Sequence, residues 1–162
     1  MLNHHNIRKI IVHCSDTPDE DNLTASDIHL MHLSFGWDGI GYHKIILKNG
    51  NIENGRPLFW EGAHTYGLNK ESLGICLIGR QKFEEQQFLS LKSLLLKWRL
   101  DYPNAIILGH RDAIVTKKTC PNFDVREWCK EENISMAVCT NKTEHLAIDL
   151  LKKIGIYDYF EY

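Results

Sequence analysis

Two histidines and one cysteine, widely separated in the sequence, have side chains suited to binding one catalytic metal ion. His13 ends one short apolar run, His110 follows another, and Cys120 lies in the stretch T-C-P-N-F-D. Two imidazoles and one thiolate are a typical set of three protein ligands for catalytic zinc, which leaves the fourth tetrahedral position open for water. The residue types therefore predict a catalytic site with one zinc ion per chain.

Short apolar segments that alternate with amphipathic segments surround these residues. Strands are predicted at residues 7–14, 43–47, 52 onward, 73–79 and 105–108, and the turn K-N-G-N between the second and third is typical of a tight hairpin. Thr24 and Asp27 resemble a capping box that begins a first helix, which Gly36 ends. A long helix with Phe88, Leu91, Leu95 and Trp98 on one face, and a short helix at 123–130, follow.

The order of these elements favours an α/β fold with a central mixed sheet flanked by helices. The chain has 162 residues, which suits one well-buried domain. We expect this domain to span residues 1–132, with residues 55–73 forming a loop at one wall of the site. A C-terminal helical extension at 133–162 is expected either to pack on the domain, which is the commoner use of apolar residues at helical spacing, or to bind a protein partner.

Composition excludes several classes of partner. The net charge is −2 and the pI is about 6.5, so nothing favours binding to nucleic acid through charge. No segment is long and apolar enough for membrane insertion, and the N-terminus lacks the apolar region of a secretory signal. We expect synthesis in the cytoplasm without a signal peptide. If the target lies outside, another factor must release or export the protein.

Cysteine usage favours a reducing compartment. The chain has five cysteines, an odd number without a close pairing pattern, which does not suit a disulfide framework. Cys14, Cys76 and Cys129 lie in apolar surroundings and are expected to be small core residues. A free Cys120 thiol agrees with a role as metal ligand.

Five motifs in one order resemble a known family. They are I-V-H-C-S, G-W-D-G-I-G-Y-H, G-A-H-T-Y-G-L-N-K-E-S-L-G-I-C-L-I-G, G-H-R-D and T-C-P-N-F-D. Together they resemble the zinc-dependent N-acetylmuramoyl-L-alanine amidases of bacteriophages, often called phage lysozymes, a group that includes the peptidoglycan recognition proteins of animals. The resemblance covers residues 7–128. Relatives often carry W-H before the G-W motif, where this chain has Met31 and His32.

The resemblance implies a fold, a reaction and site residues. The fold is a mixed sheet flanked by helices, and the reaction is hydrolysis of the amide between the lactyl group of muramic acid and L-alanine in peptidoglycan. His13, His110 and Cys120 correspond to the zinc ligands. Tyr42 matches the active-site tyrosine and Lys118 the catalytic lysine of the phage enzymes. His64 falls where these proteins line the substrate groove.

Elementary chemistry suggests how these groups act. A tyrosine with an ordinary pKa near 10 stays protonated at neutral pH, so Tyr42 is expected to donate a hydrogen bond to the attacking water or to the developing oxyanion. The ammonium of Lys118 is expected to stabilise that oxyanion. No glutamate is an obvious general base. The proton released by water has three candidate routes: Tyr42, His64 or bulk solvent.

Simpler interpretations stand beside these. A single histidine is more often structural than catalytic, and His43, His29 and His32 are expected to pack or to face solvent. Trp37, Trp60 and Tyr66 either stack on sugar or peptide or, more commonly, are buried. For the whole chain, the main interpretation is a cell-wall lytic endolysin. The alternatives are a peptidoglycan-binding module that does not hydrolyse its ligand, and an amidase secreted as an antibacterial effector.

Overall fold

Five strands form one mixed sheet in the order β3-β2-β4-β1-β5. The computed structural model describes residues 6–134 and residue 152. The strands are β1 (Lys9–Cys14), β2 (Lys44–Ile46), β3 (Ile52–Asn54), β4 (Ser72–Leu77) and β5 (Ile106–Gly109). The β2–β3 hairpin is antiparallel, whereas the pairs β2–β4, β4–β1 and β1–β5 are parallel. The predicted α/β fold with a central mixed sheet is therefore confirmed.

Within residues 6–134, four helices connect or follow the strands. They are α1 (Ala25–Ser34), α2 (Glu85–Asp101), α3 (His110–Ala113) and α4 (Val125–Glu131). The predicted capping box is present, since the Thr24 side chain accepts from the backbone N–H of Asp27 while the Asp27 side chain accepts from that of Thr24. The single turn of α3 was not predicted, because four residues are too few to show a helical period.

One face of the sheet is aliphatic. Alternate residues of a strand point to opposite faces, and on this face β1 and β4 present isoleucine, leucine and valine. These side chains pack with α2 and α4 into the main core, whose buried members include Ile10, Val12, Leu73, Ile75, Leu77, Leu91, Leu95, Trp98, Val125 and Cys129. The long helix predicted from its apolar spacing therefore covers this face.

The opposite face is divided between a small core and a polar region. Near the β2 edge, Ile28 of α1 packs on Ile45 and Ile78. Towards the middle of the sheet, His13 of β1 pairs in register with Cys76 of β4. Strand alternation places both on the face away from the main core. This second face supplies the first metal-ligand candidate.

Most of the C-terminal extension lies outside the described residues. At its start, Ile134 is buried in the main core, so the chain is still packed on the domain where the description stops. The expectation that residues 133–162 pack on the domain or bind a partner stays a prediction. Within the described part of the chain, the helices are too short or too polar to cross a membrane.

Candidate metal centre

The carboxyl ends of two neighbouring parallel strands bring the two ligand histidines together. Val12 of β1 pairs with Gly109, the last residue of β5. His13 is the next residue of β1, and His110, the first residue of α3, directly follows β5. Because parallel strands end at the same edge of a sheet, the two side chains emerge side by side. Their ring centroids are 4.6 Å apart. Both side chains are buried, His13 at 1% and His110 at 7% exposure.

A loop after α3 delivers Cys120 to the same edge. Its backbone carbonyl accepts from the N–H of Arg111 at 2.9 Å, and its Sγ accepts from the N–H of Cys14 at 3.4 Å. Asn122, two residues on, donates from its side chain to the carbonyl of Arg80 at 2.6 Å. These bonds tie the loop to the ends of β1 and β4, so the thiol is held against the two imidazoles.

The three ligand atoms converge as a metal site requires. One atom from each of His13, His110 and Cys120 lies within 4.8 Å of the others, and Cys120 Sγ is 3.9 Å from His13 Nδ1. Ideal bond lengths to tetrahedral zinc place nitrogen and sulfur about 3.5 Å apart. The Cys120 sulfur and the His13 nitrogen, at 3.9 Å, are close to this separation. The residues present therefore fit zinc, and the structure brings together all three predicted ligands.

The protonation states also suit metal binding. Burial lowers the pKa of both His13 and His110, and the positive charge of Lys118 lowers both further. Each imidazole is therefore neutral at pH 7, as a ligand must be. The pKa of the Cys120 thiol is raised by its contact with the Cys14 thiol and by burial. A bound cation would supply the positive charge that ionises it.

Tyr42 contacts one of the three ligand residues, and Lys118 lies two residues before Cys120 in the loop. The Tyr42 ring lies 5.2 Å from that of His13. Burial, together with the neighbouring thiols of Cys76 and Cys120, raises the pKa of the phenol well above 10, so Tyr42 is a hydrogen-bond donor at neutral pH. Lys118 is exposed, and its positive charge is a minor cause of the lowered pKa of both histidines, after burial.

His64 lies behind His13 rather than on an open surface. It is 9% exposed, and its Nδ1 is 3.0 Å from His13 Nε2. The hydroxyl of Thr65 is 3.1 Å from the same Nδ1. Thr65 was not singled out from the sequence, although its place beside His64 in G-A-H-T was the available signal. A substrate contact by His64 stays a prediction.

The other predicted structural histidines hold the backbone. His43 donates from Nε2 to the carbonyl of Trp60 at 3.0 Å and accepts at Nδ1 from the N–H of Gly74 at 3.0 Å. Burial is the main cause that lowers its pKa to about 4. His32 accepts at Nδ1 from the N–H of Gly41 at 2.9 Å. The sequence interpretation of both as structural is confirmed by these bonds.

Three aromatic side chains are more exposed than expected. Trp37 is 44% exposed, Trp60 54% and Tyr66 94%, so burial, the commoner outcome, is wrong for them. The Trp37 ring packs on His32 with centroids 4.6 Å apart, and His32 in turn lies 5.3 Å from Tyr42. Trp37 is therefore linked to the site through one intervening ring. Exposed aromatic faces suit stacking on sugars or peptides.

Known proteins share both the sequence and the fold. Residues 3–123 match the family described as N-acetylmuramoyl-L-alanine amidase. The endolysin of Klebsiella phage KP32 is 34% identical over 134 residues, covering 78% of this chain and 87% of the endolysin. The solved N-acetylmuramoyl-L-alanine amidase LysC from Clostridium intestinale has 31% identity and a TM-score of 0.72, over 83% of this chain and 91% of LysC. Bumblebee PGRP-SA has 26% identity and a TM-score of 0.68, over 83% of this chain and 86% of PGRP-SA.

Proposed function

Because this chain belongs to the N-acetylmuramoyl-L-alanine amidase family, we propose that it hydrolyses its substrate with one zinc ion held by His13, His110 and Cys120. The chain is a peptidoglycan amidase that cleaves the bond between N-acetylmuramic acid and L-alanine. The observation that supports the metal is the convergence of three ligand atoms within 4.8 Å of one another at the carboxyl edge of the sheet. Bound there, zinc would supply Lewis-acid activation of water and of the amide carbonyl.

Tyr42 and Lys118 stabilise the charge that develops on the amide oxygen. The high pKa of Tyr42 keeps its phenol protonated, so it donates a hydrogen bond as the carbonyl becomes an oxyanion. Lys118 directs a positive charge at the same region from the loop that carries Cys120. A preorganised donor in a site sheltered from water lowers a barrier by about 3 kcal/mol. The ammonium of Lys118 contributes less, because this side chain is exposed.

The proton released by water leaves towards solvent rather than through Tyr42 or His64. The protonated phenol of Tyr42 acts as a donor and not as a base. The Nδ1 atom of His64 is engaged by His13 and Thr65. Its Nε2 atom is buried and makes no hydrogen bond of ordinary length among the described residues. A general base must be able to exchange protons with its surroundings, and neither ring nitrogen of His64 has that access.

The substrate proposed here is the muropeptide of the bacterial cell wall, which makes the wall the place of action. Trp37 and Trp60 offer exposed aromatic faces, and Trp37 is linked to Tyr42 through the ring of His32. Such faces stack on sugar rings. An endolysin released during lysis and an amidase secreted as an effector share this chemistry. The two differ in delivery and not in the site.

A module that recognises peptidoglycan without hydrolysis is the competing function. It would need the groove but not a complete ligand set. The presence of the Cys120 thiol beside both histidines favours the hydrolase, because the third ligand adds nothing to recognition alone.

Digestion of purified wall tests the proposal. We would incubate peptidoglycan with wild type, with Cys120→Ser, with chelator-treated protein and with Cys129→Ala, which removes a core thiol outside the site. New L-alanine amino termini, detected by mass analysis, are expected from wild type and from Cys129→Ala alone. Activity that survives chelation or Cys120→Ser would contradict the zinc site. Reducing sugar ends would indicate a glycosidase, and binding without products would indicate a recognition module.

A further inference from the structure

The two ring nitrogens of His13 face different partners. Nδ1 is 3.9 Å from Cys120 Sγ, on the side where the ligands converge. Nε2 is 3.0 Å from His64 Nδ1 and 3.4 Å from the Thr65 hydroxyl, on the buried side. A neutral imidazole carries one proton. If Nδ1 binds the metal through its lone pair, Nε2 carries the proton and needs an acceptor.

We propose that His64, assisted by Thr65, is a positioning residue that accepts the Nε2–H of His13 and so fixes the tautomer and ring orientation that direct Nδ1 at the metal. This inference rests on the proposed zinc site. A ligand histidine ordinarily donates its second N–H to a carboxylate, a backbone carbonyl or water. In this chain a second imidazole and a hydroxyl fill that role.

The fold leaves room for the His64 ring and for little else. A Cβ atom on Gly62 would lie 2.5 Å from His64 Cδ2, and one on Gly74 would lie 2.6 Å from it. Both distances are shorter than any real contact, so a side chain at either position would displace the ring. Gly74 lies within β4, paired with Ile11 of β1. The ring is thus fixed against the same two strands that carry and flank His13.

The backbone of His64 and Thr65 is fixed as well. The side-chain oxygen of Asn69 accepts from the N–H of His64 at 3.0 Å and from the N–H of Thr65 at 2.9 Å. The Thr65 hydroxyl lies between the two imidazoles and can rotate to donate or accept. A threonine side chain with 1% exposure contacts no substrate. Its position is explained by the two ring nitrogens it contacts.

The environment of Nε2 of His64 agrees with a positioning role. This atom is buried and makes no hydrogen bond of ordinary length among the described residues, while the backbone carbonyl of Ser72 lies close enough to act on the imidazole as an acceptor. Buried polar atoms without partners are rare, because they are costly, and each requires a reason. A neutral ring that accepts at Nδ1 carries its proton at Nε2, and a backbone carbonyl acceptor such as that of Ser72 favours this tautomer.

Metal affinity in matched variants tests the inference. His64→Leu removes the acceptor at similar volume, and His64→Asn places an amide oxygen near the position of Nδ1. His29→Gln changes an exposed histidine of α1 as a control. Loss of such a partner lowers metal affinity by about 10- to 100-fold. We expect this loss in His64→Leu, a smaller one in Thr65→Val, partial recovery in His64→Asn and none in His29→Gln, measured by competition with a chromogenic zinc chelator.

Nitrogen-15 NMR of the imidazoles gives a readout that general destabilisation would not produce. In folded, metal-free wild type at pH 7.5, His13 is expected as the single tautomer protonated at Nε2. In His64→Leu it is expected as a mixture. Two results for His64→Leu would overturn the inference. One is a fall in zinc affinity of no more than about threefold, which is far smaller than the fall that loss of a supporting partner produces. The other is an unchanged tautomer of His13. If wild type itself binds no zinc, the proposed function fails, and the tautomer of metal-free His13 still decides the role of His64.

Discussion

The two faces of the central sheet are built from the same strands but have different roles. On one face, Val12 and Ile75 pack with α2 and α4 into a core of aliphatic side chains. On the other, the adjacent residues His13 and Cys76 pair in register, and the ring of His64 occupies the space above Gly74. Of two adjacent residues on a strand, one therefore packs in the core and stabilises the fold, and the next lies on the face that carries the site.

The difference shows where the fold tolerates unfavourable interactions. The aliphatic face buries apolar area with no polar atom to satisfy, and each fully buried side chain contributes about 1.5–3 kcal/mol. The polar face buries neutral imidazoles and leaves Nε2 of His64 without a hydrogen bond of ordinary length in the described part of the chain. Functional sites commonly keep such local costs, which the rest of the structure offsets.

Removal of a metal ligand should give the largest effect on the polar face. His110→Ala is expected to lower amidase activity by more than about 1,000-fold, because water without the metal has a pKa many units higher. The stability of the metal-free protein, from urea unfolding, should fall by less than in the core variant described next. Initial rates on purified peptidoglycan measure the effect. Activity within tenfold of wild type would remove His110 from the ligand set.

A change on the aliphatic face should lower stability and leave zinc affinity and activity unchanged. Ile75→Ala truncates a fully buried side chain of the main core, and such truncations cost about 2–5 kcal/mol of unfolding free energy. Its zinc affinity and its activity at a temperature where it remains folded should match wild type. Loss of zinc affinity without loss of stability would show that the two faces are not independent.

Acid should destabilise the protein through the polar face. The pKa of His43 is about 4, lowered mainly by burial, from an ordinary value of 6.5. The unfolded chain therefore binds a proton more readily, so the contribution of His43 is complete above pH 6.5 and is lost as pH falls towards 4. The loss is about 3 kcal/mol. Urea unfolding of metal-free protein measures it, and an NMR titration that places His43 near 6.5 would contradict it.

Tyr42→Phe should give the smallest of these effects. The ring and its packing against His13 and His32 remain. The losses are the hydrogen bond donated to the oxyanion and the contact of the phenol with the Cys76 thiol. We expect kcat to fall by about 10- to 100-fold, somewhat less than for loss of a dedicated oxyanion donor. The zinc dissociation constant should stay unchanged. A change in metal affinity with an unchanged kcat would make Tyr42 a supporting residue and not a catalytic one.

The aliphatic face was the more predictable of the two from sequence. Strand alternation and helical spacing are local patterns, and they located β1, β4 and α2 to within a few residues. The capping box of Thr24 and Asp27 is likewise a local signal. On the polar face, the ligand set was identified through its sequence motifs. His and Cys are residue types that bind metals, so they can be recognised in a motif without knowledge of the fold.

The support around the ligands was not predictable in the same way. His13 and His64 are 51 residues apart, and no local pattern specifies that one ring will accept from the other. The exposure of Trp37 and Trp60 also depends on which elements happen to cover them. The contact between His13 and His64 and the exposure of the tryptophans both depend on how loops pack in the folded protein. This packing is difficult to predict from the identity of single residues.

X-ray absorption of the zinc-loaded protein tests the central claim most directly. The claim is that one zinc ion is bound by the nitrogens of His13 and His110 and by the sulfur of Cys120. The account predicts one zinc per chain, with one sulfur at about 2.3 Å and two imidazole nitrogens at about 2.0–2.1 Å. In Cys120→Ser the sulfur signal should disappear. A zinc environment without sulfur, or a sulfur signal that persists in Cys120→Ser, would contradict the account.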